Sequence, residues 1–326
     1  MMKKYMKSLG MCAVLLAAAV GATTAQAQQV RDVIFASGPQ GGGWYASAAA
    51  VSQILNQNFS GLRVTVNEGG AVGNVRALNQ GSDANVGYSW TSFLSDGIRG
   101  EGAFEGSPQD SVSPVMTMQR NYISIVVRAD SDIETLQDLA DKRILSGRRG
   151  GGAELAFEKM MGIIGVTYDD IRAAGGSLVF TGYGDGPSLM RDGHIDAVVI
   201  PGPAPHALVL EIESQIPIRL LEVDRSVLEQ FIAENEGFGI DAVPAGVYGG
   251  QDSDVTVLAS YTVMAVHSGL PDDFVYDLTK AIFENRQMIA EVVPDFDFLS
   301  LDTAFFGIDR SKVHPGAERF FAEQGL

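Results

Sequence analysis

The sequence predicts an α/β protein of two lobes, each a mostly parallel sheet flanked by helices, the two joined by a pair of strands. Three observations carry this. A short apolar run, a glycine-rich loop and a helix-like segment follow one another twice: Val33-Ile34-Phe35 before Ser37–Gly43 (SGPQGGG), and Ile144-Leu145 before Ser146–Gly152 (SGRRGGG). Around each copy strand-like and helix-like segments alternate, an order that implies parallel strands with helices on their faces. Late in the chain, Val255–Val266 is long and apolar, as a strand running from one lobe back to the other would be.

The first half runs strand, helix, strand, helix, strand. Val33–Phe35 opens it. Trp44, Ala48, Val51 and Leu55 recur at helical spacing, and Asn58 and Gly61 close that helix. Leu62–Val66 is the second strand, followed by a glycine loop at Glu68-Gly69-Gly70. Val72, Val75 and Leu78 line a short helix that Gly81 stops, and Asn85–Tyr88 is the third strand. Gly97–Ser113 reads as irregular. The second half repeats the order: strand Ile123–Val127, a short helix over Ile133–Leu139, strand Ile144-Leu145, a helix on Ala156, Met160 and Ile163 stopped by Gly165, strand Leu178–Phe180, helix Pro187–Arg191 and strand Ala197–Ile200. Gly81-Ser82-Asp83-Ala84 before one strand echoes Gly193-His194-Ile195-Asp196-Ala197 before another, with one residue inserted. Ile218–Val223 is a further strand and Pro244–Asp254 a loop. Phe274, Leu278, Ala281 and Ile282 mark a long helix with Pro271, Asp272 and Asp273 at its start, where proline and the helix dipole favour them. Residues 312–324 read as a last helix packed by Phe320 and Phe321.

The beginning of the chain reads as an export signal. Lys3, Lys4 and Lys7 form its basic region, Met11–Val20 its apolar core, and Ala25-Gln26-Ala27 a small-x-small cleavage site, so the mature chain is expected to start at Gln28 and to fold outside the cytoplasm. Cys12 stands at the start of the apolar core, which follows it rather than leading up to it, and this argues against lipidation. It is the only cysteine, so the mature protein is expected to fold without disulfides on a large apolar core. With 27 residues removed from 326, enough chain remains for two domains. The net charge of −17 becomes −20 once the leader's three lysines are lost. That excludes nucleic acid as a default partner and requires a local positive site for any anionic ligand.

The candidate site residues follow from the loops. Gly42 and Gly43, with Gly41, let the backbone approach a ligand, and the first amides of the following helix lack internal partners. Trp44 and Tyr45 supply an aromatic wall. No Lys-Ser/Thr follows the glycines, so no nucleotide site is expected. Arg148 and Arg149 sit inside the second loop, beside Gly151 and Gly152, and arginine grips carboxylates bidentately. Gly70 and Asn74 belong to the loop after the second strand. Ser89, Trp90 and Thr91 lie at the carboxyl end of the third strand, where open α/β sheets place ligands, and Pro201 and Gly202 hold the matching place in the second half. Tyr248, between Gly246 and Gly249, is a further candidate. His194, His206, His267 and His314 are scattered without metal-ligand spacing, and neither a nucleophile elbow nor a mature cysteine is present. No catalytic set, metal site or cofactor is expected.

Taken in order, these motifs resemble the TAXI family, the substrate-binding proteins of one class of TRAP transporters. Ser37–Tyr45 stands where the family has T-G-x-x-G-G-T-Y-Y, Glu68–Val75 where it has T-G-G-S-V-E-N-L, and Gly147–Glu154 where it has G-x-x-G-S-G-T-E. Pro244–Tyr248 resembles its P-A-G-x-Y, and His314–Arg319 its H-P-G-A-x-R/K close. The chain departs at Trp44, where the family has Thr, and at Gly151 and Ala153, where it has Ser and Thr. Hydroxyl contacts are lost there, and Arg148 and Arg149 are the residues placed to compensate.

The resemblance implies a monomeric periplasmic binding protein of the type II-like fold. It would have a leader over 1–27, one lobe of 28–118 plus 256–326 and a second lobe of 119–255. It would close on a small organic anion, a carboxylate or acidic amino acid, and deliver it to a TRAP membrane permease. A sensor module for a membrane receptor is the alternative, and an enzyme on the same scaffold a remote third.

Overall fold

The computed structural model describes residues 30–38, 40 and 43–326. The expected leader, its cleavage site and Gly42 lie outside the described residues. In chain order the strands are β1 Asp32–Ala36, β2 Arg63–Asn67, β3 Val86–Trp90, β4 Val112–Arg128, β5 Arg143–Leu145, β6 Ser177–Val179, β7 Ala197–Gly202, β8 Ile218–Leu221, β9 Phe238–Val243 and β10 Val255–His267. The helices are α1 Gly43–Asn58, α2 Ala71–Gln80, α3 Thr91–Arg99, α4 Gly152–Ile163, α5 Tyr168–Ala173, α6 Gly186–Arg191, α7 Ala207–Glu213, α8 Arg225–Glu234, α9 Asp272–Glu284, α10 Arg286–Val292 and α11 Pro315–Glu323.

These strands form one sheet in the order β2-β1-β3-β10-β4-β7-β5-β6, with β8 on β4 and β9 on β10. The β2–β1–β3 and β7–β5–β6 sets are parallel. The antiparallel pair β4 and β10 runs through both. The first part of β4 pairs with β10, from Val112 opposite His267 to Ile123 opposite Leu258, and from Tyr122 onward its other edge pairs with β7. The second part of β10 pairs with β3 and its first part with β9. The result is two lobes, each with a mostly parallel sheet flanked by helices, joined by two hinge strands.

Local chemistry explains the elements. Helix α1 is rich in alanine and buries Ala48, Val51, Ile54 and Leu55 on one face. Asn58 ends it by donating its side-chain amide to the Ile54 carbonyl at 2.8 Å. Gly81 stops α2 in the left-handed conformation (φ 73°) and donates its N–H to the Ala77 carbonyl. In the first lobe α1, α9 and α11 cover one face over Phe35, Tyr88, Met264 and Phe321, and α2 and α3 cover the other over Ala36, Leu94 and Val263. In the second lobe α4, α5 and α8 cover one face, around Phe157, Ile171 and Phe231, and α6 and α7 the other, around Met190 and Val209.

The two glycine turns play matching parts, but the residue equivalent to Asp196 is Asn85 and not the Asp83 that the sequence echo sets opposite it. Asn85 N–H donates to the Ile34 carbonyl while its Oδ1 accepts Ile34 N–H at 2.9 Å. Asp196 N–H donates to the Arg143 carbonyl while its Oδ2 accepts Arg143 N–H at 2.8 Å. In both halves one polar side chain thus fixes how the strand that enters after the glycine turn registers on its neighbour.

The structure corrects the sequence reading in several places. The stretch expected to be irregular contains most of α3's last turn and the beginning of β4, which is 17 residues long rather than confined to Ile123–Val127. Glycine masked α3: a Cβ on Gly97 would lie 2.7 Å from Val75 Cγ1, so the glycine is what lets α3 pack on α2. The helix expected over Ile133–Leu139 is only a 3-10 turn, Gln137–Leu139, because Asp138 turns back to accept the Glu134 and Thr135 N–H groups. The reading places no element over α7, α8 or β9.

Candidate functional site

The carboxyl ends of β3 and β5 turn toward the same interlobe space, and their loops touch there. Trp90, the last residue of β3, stacks on Phe93 with ring centroids 5.8 Å apart. Both rings rest on Gly152 at the start of α4: a Cβ there would lie 2.5 Å from Trp90 and 2.9 Å from Phe93. A second contact lies beside it. Thr91 Oγ1 donates to the Gly237 carbonyl at 2.6 Å and accepts Tyr261 N–H at 3.2 Å. Gly237 has φ 81°, and a Cβ on it would fall 2.6 Å from the Ser92 backbone, so only glycine lets the loop before β9 approach α3. Arg99 closes the same seam by pairing with Glu236.

Behind this contact the hinge strands carry buried polar side chains. Gln119, Asn121, Ser260 and Thr262 are all buried. Thr262 Oγ1 accepts from Asn121 Nδ2 at 2.9 Å and from the Trp44 indole N–H at 2.9 Å. Trp44, second residue of α1, therefore reaches from the first glycine loop to the hinge, packed 5.9 Å from the Tyr88 ring. The chain's two tryptophans both stand at this interlobe position.

The second glycine loop is built as an amide cup. The α4 N-terminus has no side-chain cap at Gly151, and its first bond runs from Leu155 N–H to the Gly151 carbonyl, leaving the amides before it without helical partners. Ser146, at the end of β5, is fully buried, and its Oγ has no hydrogen-bond partner. Glu154 is buried in the first turn and accepts Gly150 N–H at 2.9 Å. Tyr183 covers Gly147, and burial pushes its phenol well above the usual range.

Other expected residues have different surroundings. Gly43 is exposed at the start of α1, and Tyr45 is half-buried two positions on. Gly70 donates its N–H to Asn74 Oδ1, and the Asn74 amide donates to the carbonyls of Ala36, Ser37 and Tyr88, so its side chain ties the end of β1 to β3. Ser89 is buried and donates to the Ala71 carbonyl. Arg148 is exposed at the loop tip; Arg149 stacks on Phe180 at 4.6 Å, toward the β6 edge of the sheet. Pro201 is half-buried, and Gly202 (φ 148°) packs under His206, whose ring would meet a Cβ at 2.6 Å. Tyr248 is buried, and its Oη accepts His206 N–H at 2.9 Å, which holds the loop after β7. The structure thus brings Trp44, Trp90, Thr91 and Gly152 to the interlobe space, while Asn74, Arg149 and Tyr248 are engaged elsewhere.

The residues missed were Gln119, Asn121, Ser146, Ser260 and Thr262. Their signal is polarity inside strand-like apolar runs, as at Ser260 and Thr262 within Val255–Val266. Among the described residues no group of three or more His, Cys, Asp or Glu side chains could hold a metal ion, and no helix is long and apolar enough to cross a membrane.

The profile of the NMT1-like family matches residues 35–325. In fold the chain is similar to a TctC solute binding protein from Polaromonas (TM-score 0.53, 16% identity, covering 91% of this chain and 99% of that one). It is also similar to XAC2383 from Xanthomonas citri bound to chloride ion (0.51, 11%, 90% and 99%) and bound to ATP (0.50, 10%, 89% and 96%). At such identities the likeness is one of fold.

Proposed function

Because this chain belongs to the NMT1-like family, we propose that it is an extracytoplasmic solute-binding receptor that holds a small organic anion between its lobes and delivers it to a TRAP membrane permease. The observation that carries the reading is the meeting of Trp90 with Gly152 across the hinge, over a floor of buried polar side chains. A solute held there touches both lobes at once. Contacts made only in the closed arrangement lower its energy alone and shift the hinge equilibrium toward it.

The amide cup at α4, with the unpartnered Ser146 Oγ beneath it, supports a carboxylate or acidic amino acid as the solute class. Glu154 already occupies part of that positive end, which gives Arg148 its importance as the nearby exposed cation. On this reading the lobes are 28–118 with 256–326 and 119–255, residues 1–27 are removed after Ala27, and the mature protein is a periplasmic monomer without enzymatic activity. The TctC solute binding protein from Polaromonas, similar in fold, supports the same role.

Mass spectrometry of small molecules released by denaturing the purified protein tests this first. A thermal-shift screen of carboxylates and amino acids on the stripped protein tests it second, because a ligand that binds only the folded state raises the melting temperature. A released carboxylate that restores the shift supports the reading. Protein proven ligand-free that responds to none of these compounds contradicts it.

A further inference from the structure

The loop between β5 and α4 is polar at its base and aromatic at its ends. From Ser146 to Glu154 it reads SGRRGGGAE, with a single hydroxyl. That hydroxyl, Ser146 Oγ, is wholly buried without a hydrogen-bond partner. Its other offer to an anion is the run of backbone amides ahead of α4 that have no helical partner.

A ring stands at each end. At Gly152, Trp90 and Phe93 from the first lobe are stacked with their planes 25° apart, and Trp90 Cζ3 lies 2.5 Å from where a Cβ would sit. At Gly147 (φ 91°) the Tyr183 ring of the second lobe does the same, its Cζ 2.6 Å from the Cβ position. Glycine in both places lets a ring settle directly on the backbone. Trp90 and Tyr183 are half-buried, so each keeps part of its surface open.

Charge in the loop is scarce. Arg149 covers the Phe180 ring at 4.6 Å, which leaves Arg148 as the exposed cation of the loop tip. The loop's one carboxylate, Glu154, is buried and held by the Gly150 N–H at 2.9 Å. A solute with two carboxylates would bring the second toward Glu154 with Arg148 already used. A solute with an ammonium group would have only that engaged, buried carboxylate to meet. Burying a charge without a partner is unfavourable, so the loop suits one negative charge and an uncharged remainder.

We propose that the solute is an aromatic monocarboxylate, its carboxylate taken by the loop amides and Ser146 and its ring packed against Trp90 and Tyr183. The inference rests on the reading of the interlobe space as the solute site and narrows the solute to one charge and one ring. Rings packed edge to face or offset attract each other beyond the area they bury, so a flat π system gains where a saturated ring of the same size does not.

Isothermal titration calorimetry on the stripped protein tests this with benzoate, its saturated analogue cyclohexanecarboxylate, succinate and glutamate. Benzoate is expected to bind at least about tenfold more tightly than succinate or glutamate. It is expected to exceed cyclohexanecarboxylate by about three- to tenfold, an advantage that disappears in Trp90→Leu, which keeps apolar bulk but removes the indole. Circular dichroism checks folding, and if Trp90→Leu does not fold, Tyr183→Leu decides in the same way. Succinate or glutamate binding as tightly as benzoate, or cyclohexanecarboxylate matching it in wild type, overturns the inference and leaves the receptor reading standing. So does an advantage of benzoate that survives the substitution. Binding of none of the four, nor of any other carboxylate or amino acid, overturns both.

Discussion

Asn74 shows how much of the site's precision is held by single side chains. Its carboxamide donates to three carbonyls and accepts the Gly70 N–H while being almost wholly buried. Replacing it by Ala strands those groups, and we expect a loss of about 2–4 kcal/mol in urea denaturation. Asp196 does comparable work in the other half, accepting from the Arg143 N–H and pairing with its guanidinium at 2.6 Å. Arg143 holds the Asp196 carboxyl below its ordinary value of 3.8. The stability this gives is present above that value and lost as pH falls through the lowered one. Asp196→Asn should therefore be less stable than wild type by about 1–3 kcal/mol at neutral pH, with the gap closing in strong acid. A gap that persists undiminished in acid would show that the charge is irrelevant. The sequence disclosed that Asn74 matters through its place in a glycine loop, but not how. Whether an amide faces a ligand or three carbonyls depends on strands that meet only after folding.

At the scale of elements, glycines decide how closely the lobes approach. Gly237→Ala introduces a Cβ against the Ser92 backbone and forces a side chain into a left-handed conformation. Gly250 has a similar φ of 75° with open space around it, so Gly250→Ala isolates the conformational cost. We expect the Gly237 variant to lose at least about 1 kcal/mol more than the Gly250 variant in parallel denaturation curves. Gly152→Val should push Trp90 aside, change tryptophan emission and abolish solute retention while leaving the far-ultraviolet spectrum intact. Retained solute in that variant would count against the interlobe site. The glycine loops and the β-α-β order were legible because apolar periodicity and turn chemistry are local. β4 was only half legible: Val112–Gln119 mixes Pro114 with Ser, Thr and Gln, and its strand character comes from β10, far along the chain. Helix α3 was hidden because Gly97 serves packing against Val75 rather than helix propensity.

For the whole molecule, the two strands that pass unbroken through both lobes couple their stabilities. Losing either lobe leaves half of β4 and half of β10 without partners. We expect one cooperative transition by calorimetry, with equal calorimetric and van't Hoff enthalpies. Two resolved transitions would show that the lobes melt separately. The two-lobe plan could be anticipated because Val255–Val266 is too long and too apolar for a surface segment. The seam itself could not, since Trp90 meeting Gly152 requires both lobes to be assembled first.

The place of β10 between β3 and β4 has a further consequence. The central strand of the first lobe comes from residues 255–267, after the whole second lobe has been made. A nascent chain that has emerged from the ribosome only as far as residue 250 carries β1, β2 and β3 with one flank bare. Such an intermediate lacks the strand that joins β3 to β4, and the first lobe's sheet is complete only when the late segment pairs with both.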